Sequence, residues 1–157
     1  RNVLASRPAL GEFMMFGAFP LLALPVVIYN ILALTLEGNF ASTGAQERLM
    51  GPIFSLHTTS GGLWQVAISD MILAGSLIVL FIELLKSTTS RKIAIINHAL
   101  SMLLFIICLV EFLLAPAFAT STFFLLTLMV LLDVLAGFIV TIVSARRDVD
   151  FISGDQN

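Results

Sequence analysis

Two histidines, one cysteine and ten carboxylates are the groups in this chain that could move a proton, ligate a metal ion or attack a substrate. Several of the carboxylates lie inside apolar runs. Glu111 falls within NHALSMLLFIICLVEFLLAPA (residues 97–117), and Asp133 within TSTFFLLTLMVLLDVLAGFIVTI (residues 120–142). Asp70 and Glu83 fall within the apolar run from residue 63 to residue 85. A carboxylate at bilayer depth costs about 2.5–3.5 kcal/mol on insertion scales, and far more if it stays charged against lipid. It must therefore be protonated, hydrogen-bonded inside protein, or placed beside water or an ion. No Lys or Arg occurs inside an apolar run, which excludes an internal salt bridge by composition. A protonated acid bonded to Ser, Thr or Asn is the least costly remaining state.

Spacing says which way these side chains point. Asn97, Ser101, Leu104, Cys108, Glu111 and Ala115 recur at helical intervals and fall within about 80° of one another on a helix. Asp133, Gly137, Thr141 and Ser144 share a face of the next segment, with Asp133 near its midpoint. Ser69, Ser76 and Glu83 recur every seven residues, and Asp70 lies on a different face. Glu83, three residues from Lys86, can pair locally or reach water. By depth Asp70, Glu111 and Asp133 belong to the outer half of the assembly. Asp70, Asn97, Ser101, Glu111, Asp133 and Thr141 thus form either a buried polar seam that pins helix register or a proton or ion site.

Histidine and cysteine chemistry is thin. His57 and His98 belong to opposite sides of the membrane and cannot ligate one metal ion. His98 could act alone as an axial ligand or, with Arg91, Lys92 and Trp64, contact lipid headgroups. Cys108 has no disulfide partner in the chain. The sequence contains no CxxC, no HExxH, no glycine-rich phosphate loop and no convergent Ser/His/Asp set. Catalysis, a metal and a cofactor are not expected.

The elements that must position these groups follow from composition. Of 157 residues, 59% are hydrophobic and 11% charged, and the mean hydropathy is +1.05. Soluble domains carry about a quarter charged residues, so the chain reads as an integral membrane protein of all-α class. Net charge is −2 with no long basic run, which leaves nucleic acid no electrostatic footprint. Four stretches of roughly 20 apolar residues can each cross a bilayer, near residues 13–36, 63–85, 93–116 and 121–144. They predict one domain over residues 1–157, an antiparallel four-helix transmembrane bundle. Pro20 and Pro25 predict a kinked or locally unwound first helix, and Tyr29 is a candidate for the interfacial aromatic belt. Lys and Arg alternate between loops: Arg1 and Arg7, then Lys86, Arg91 and Lys92, then Arg146 and Arg147 mark one side. Both termini are therefore expected in the cytoplasm. The loop at about residues 37–62 is then external, with AQERLMGPIFSL forming a short surface helix. It serves as a polar cap or as a partner-docking loop.

At IINHALSMLLFIICLVEFLLAP and TSTFFLLTLMVLLDVLAGFIVTI the chain resembles small four-helix inner-membrane proteins of proteobacteria. That resemblance implies a multi-pass bacterial membrane protein with no assigned activity. In size and helix count the chain is also similar to the small subunit of tripartite periplasmic transporters, whose Arg-Tyr at the end of the first helix is here Tyr29-Asn30. The expectation is a non-catalytic subunit in the bacterial inner (plasma) membrane. It would pack in the lipid bilayer against a larger respiratory, photosynthetic or transport complex, or against copies of itself. The alternative is a proton- or ion-coupled carrier built around Glu111 and Asp133.

Overall fold

The computed structural model describes residues 19–37, 43–86 and 91–154, with side chains outside the description at 36–37, 91–94 and 144–154. The first described helix, α1, runs Ala23–Glu37. Pro20 lies ahead of it, accepting a hydrogen bond from Ala23 N–H at 3.0 Å. Pro25 lies in its first turn, where an N–H would have no intrahelical acceptor. Residues 19–22 around Pro20 are not helical, as the expectation of a locally unwound first helix allowed. The part of the expected first span at residues 13–18 lies outside the described residues.

The loop after α1 departs most from expectation. Only Ala45–Leu49 is helical (α2), a single turn anchored by buried Ala45 and Leu49. The following residues form an antiparallel hairpin, β1 (Pro52–His57) and β2 (Leu63–Ala67). Phe54-Ser55-Leu56-His57 alternates apolar and polar at period two, and both segments are rich in aromatic and branched residues suited to strands. The turn between them needs Gly61, whose φ of 82° is open to glycine at little cost. The expected second span therefore starts as a strand, and its helix, α3, runs Ile68–Lys86.

Helix α4 (Arg91–Leu114) ends before Pro116, which cannot continue it. A single 3-10 turn, Pro116–Phe118, returns the chain. Thr120 then opens α5 (Ser121–Gly154), its Oγ1 accepting Phe123 N–H at 3.1 Å as an N-cap. Helix α5 runs ten residues past the expected end of the fourth span, through Arg146-Arg147. Helices α4 and α5 are antiparallel: Phe112 and Phe124 meet near the turn with ring centroids 5.6 Å apart.

Among the described residues, three helical segments are long and apolar enough to cross a membrane: Ile68–Lys86, Ile95–Leu114 and Ser121–Val143. Helix α1 is shorter. Its Tyr29 does not reach an interface, being 1% exposed in an aromatic cluster with Phe118 and Phe123. The Tyr29 hydroxyl lies 2.6 Å from Thr120 Oγ1, so α1 is tied to the cap of α5. Most of the remaining helix surface exposes Leu, Ile, Val and Phe, as lipid or a partner helix would require.

Candidate functional site

Polar side chains collect where the C-terminal end of α3 meets the start of α4. Glu83 is fully buried there. Its Oε1 accepts the Asn97 amide at 2.5 Å, and its Oε2 accepts Leu21 N–H, also at 2.5 Å. Lys86, one turn along α3, is 3.2 Å from Glu83 Oε1. The same ammonium donates to Asn97 Oδ1 at 3.2 Å and to Phe19 O at 2.6 Å. An ammonium has three N–H donors, and here each has an acceptor. The positive charge also sits in the last turn of α3, where it complements the helix dipole. The pair takes the local pairing that its three-residue spacing allowed, and it does so with the Glu83 carboxylate fully buried. Lys86 lies beyond the apolar run, but its stem reaches back over one helical turn.

Asp133 belongs to this end of the bundle. It is fully buried, within electrostatic reach of Ser101, Glu83, His98 and Lys86. This corrects its expected place beside Asp70 and Glu111 in the outer half. The α4–α5 pairing sets Asp133 near Ser101 and Gly137 against His98. Neither Asp133 oxygen has a hydrogen-bond partner among the described residues, nor do Ser101 Oγ and the two ring nitrogens of His98. His98 does not turn out to the headgroups as expected. Its ring lies against Gly137 so closely that a Cβ there would fall on the imidazole.

The other predicted residues separate from this cluster. Asn97, Ser101 and Cys108 are buried as their helical stripe predicted. Glu111 is only half-buried and takes a long 3.4 Å hydrogen bond from Asn30 of α1. Asp70 is exposed and leaves the seam altogether: it is the third residue of α3, and its carboxylate accepts Ala67 N–H at 2.9 Å. That is the backward half of a capping box. Thr141 is exposed and bonds back to Gly137 O of its own helix at 2.9 Å. Trp64 is exposed on β2, whereas the side chains of Arg91 and Lys92 lie outside the described residues. Sequence reading undervalued Glu83. The signal was present in its seven-residue spacing from Ser76 and Ser69, both of which are buried with it.

Chemically, the Glu83–Lys86–Asn97 network is saturated and offers no free nucleophile. Asp133, Ser101 and His98 can share or store a proton. No group of three or more His, Cys, Asp or Glu residues placed to hold a metal ion occurs among the described residues. Set against known protein families, curated proteins and solved structures, the chain matches none.

Proposed function

We propose that this chain is a small, non-catalytic membrane subunit that packs against and stabilises a larger membrane-protein complex. In this reading α1 counts as a fourth span, the termini face the cytoplasm and the membrane is a bacterial inner membrane. One observation carries it: the interior polar groups join segment to segment. Glu83 joins α3 to α4 and to the chain ahead of α1, Asn30 joins α1 to Glu111, and Tyr29 joins α1 to the cap of α5. Groups used this way hold a scaffold together. The outer surface supplies the complementary feature. Beside Leu24, Pro25 and Met71 lies an apolar groove of about 320 Å³, and Gly75 at its wall has open space where a side chain would be. Small residues at such positions let a second helix approach closely.

The test is the size of the assembly extracted from native membranes in mild detergent. The chain should run in a particle well above its own 17.0 kDa, and Gly75→Leu should release it. A free wild-type chain would argue against the proposal.

A second reading, a proton- or ion-coupled carrier, is favoured by the unpartnered Asp133. It moves from the Glu111–Asp133 pair to Asp133 with Ser101 and His98. Asp133→Asn separates the two readings. A subunit keeps its assembly and its partner's activity, whereas a carrier assembles normally and loses coupled flux in reconstituted vesicles.

A further inference from the structure

The β1–β2 hairpin has a face that the bundle does not cover. Phe54 is paired with Val66, and Leu56 with Trp64, so these four side chains project from one side. Val66 is buried against the protein, but Phe54, Leu56 and Trp64 are 46%, 48% and 54% exposed. The opposite side carries the Ser55–Gln65 and His57–Leu63 pairs. Leu63 on that side and Ile53 at the bulge are exposed as well, so the hairpin surface is largely apolar, with Phe54, Leu56 and Trp64 gathered on one open side.

We infer that the Pro52–Ala67 hairpin is an interfacial anchor whose Phe54–Leu56–Trp64 face seats in the headgroup region of the bilayer, at the end where α3 begins. This inference rests on the reading of α3 as a membrane span. Three observations select lipid as the occupant. First, Ala67 of β2 is followed directly by Ile68 of α3, with no linker to carry the hairpin away. A five-residue strand reaches only about 17 Å from the helix start. Second, no Asp, Glu, Lys or Arg occurs from Leu49 to Ser69, so no charge resists seating and none demands an anionic lipid. Third, the sole tryptophan lies on the open face, and indole favours the boundary between headgroups and acyl chains.

Hydrogen bonding fixes the depth. A two-stranded hairpin has an unpaired backbone edge on each strand, and such groups cannot remain unbonded in hydrocarbon. At headgroup level water and lipid esters can serve them. The turn satisfies itself: Thr58 N–H donates to Gly62 O at 2.9 Å and Gly61 N–H to Thr58 O at 2.9 Å. Isolated hairpins are marginally stable in water, and the bilayer surface supplies the second layer that this one lacks.

Because the chain has one tryptophan, its fluorescence reports the hairpin alone. The full chain would be reconstituted into phosphatidylcholine vesicles, and co-flotation tests the membrane reading separately. Lipid brominated near the ester end of the acyl chain should remove most of the emission. Lipid brominated near the methyl end, and aqueous iodide, should remove little, and added anionic lipid should change nothing. Strong iodide quenching would overturn the inference by placing Trp64 in water. Insensitivity to every quencher would overturn it by placing Trp64 under protein, either a second copy or a partner. The double variant Phe54→Ser/Leu56→Ser should red-shift the emission and lose lipid quenching at unchanged helix content. Unchanged lipid quenching in that variant would mean that α3 alone positions Trp64, and would also overturn the inference.

Discussion

Asn97 on α4 donates its amide to Glu83 on α3 at 2.5 Å, while Lys86 reaches both side chains at 3.2 Å. The three groups form a closed set around one buried negative charge. Removing one charged member alone should cost more than removing both. Lys86→Met leaves Glu83 unpaired and should destabilise the protein by about 3–5 kcal/mol. The double variant Glu83→Gln/Lys86→Met keeps shape and the Asn97 contact without charge, and should recover most of that loss. Reversible unfolding in detergent, read as a double-mutant cycle, measures the difference. Equal losses in the single and double variants would mean that the pair is not coupled.

Gly137 and His98 make a second testable contact. An added methyl at 137 meets the imidazole, and the ring or the two helices must shift to admit it. Gly137→Ala should therefore destabilise by about 1–3 kcal/mol, as overpacked sites do. His98→Ala should relieve it in the same chain, because the obstructing atoms are those of the ring. A Gly137→Ala loss that persists without His98 would assign the strain elsewhere.

The capping of α5 gives a graded pair. Thr120 Oγ1 accepts Phe123 N–H and also meets the Tyr29 hydroxyl. Tyr29→Phe removes the bond to Thr120 Oγ1 and a long one to Ala117 O but leaves the cap, at a cost of about 0.5–1.5 kcal/mol. Thr120→Val removes cap and tether together, leaves the buried Tyr29 hydroxyl only its long 3.4 Å bond to Ala117 O, and should cost more. Thermal unfolding followed by circular dichroism ranks the two, and the reverse order would contradict the geometry.

The contrast between what the sequence showed and what it hid has physical causes. The helical stripe Asn97–Ser101–Cys108 was legible because one helix face repeats at a period that local geometry sets. The bundle was legible because the apolar runs are long and charge-poor. The hairpin was hidden because Leu63–Ala67 is apolar and continuous with α3. Only Gly61-Gly62 and the alternation in Phe54–His57 of its partner strand mark the turn and the pairing. Asp70 was misplaced because an acid near a span boundary and a helix cap look alike until the first residue of the helix is known. The Glu83–Lys86 pairing was legible from its three-residue spacing; its full burial was not, because composition counts a lysine by its backbone position, whereas its flexible stem can bring the ammonium a full turn away. Asp133 does fall near the middle of the apolar segment Ser121–Val143, but its neighbours Ser101 and His98 were hidden because tertiary packing of α4 on α5 sets that pairing.

Asp133 offers the sharpest prediction about what the interior is for. Its carboxyl is fully buried, and neither oxygen is bonded among the described residues. A buried polar group without a partner costs about 1–3 kcal/mol, so a site kept only for the stability of the isolated chain would be better filled by an apolar side chain. Asp133→Val, close in size and without polar atoms, should raise the denaturant midpoint of the purified protein, whereas Asp133→Asn should leave it nearly unchanged. The gain should vanish if Ser101 and His98 supply bonds to Asp133 in the membrane, because Val would then strand both of them. Comparing Asp133→Val in wild-type and Ser101→Ala backgrounds distinguishes the cases. A stabilising Asp133→Val in both means that the acid is retained for something other than folding, such as proton handling or contact with a partner. Destabilisation that Ser101→Ala removes would make Asp133 one more fastener between α4 and α5.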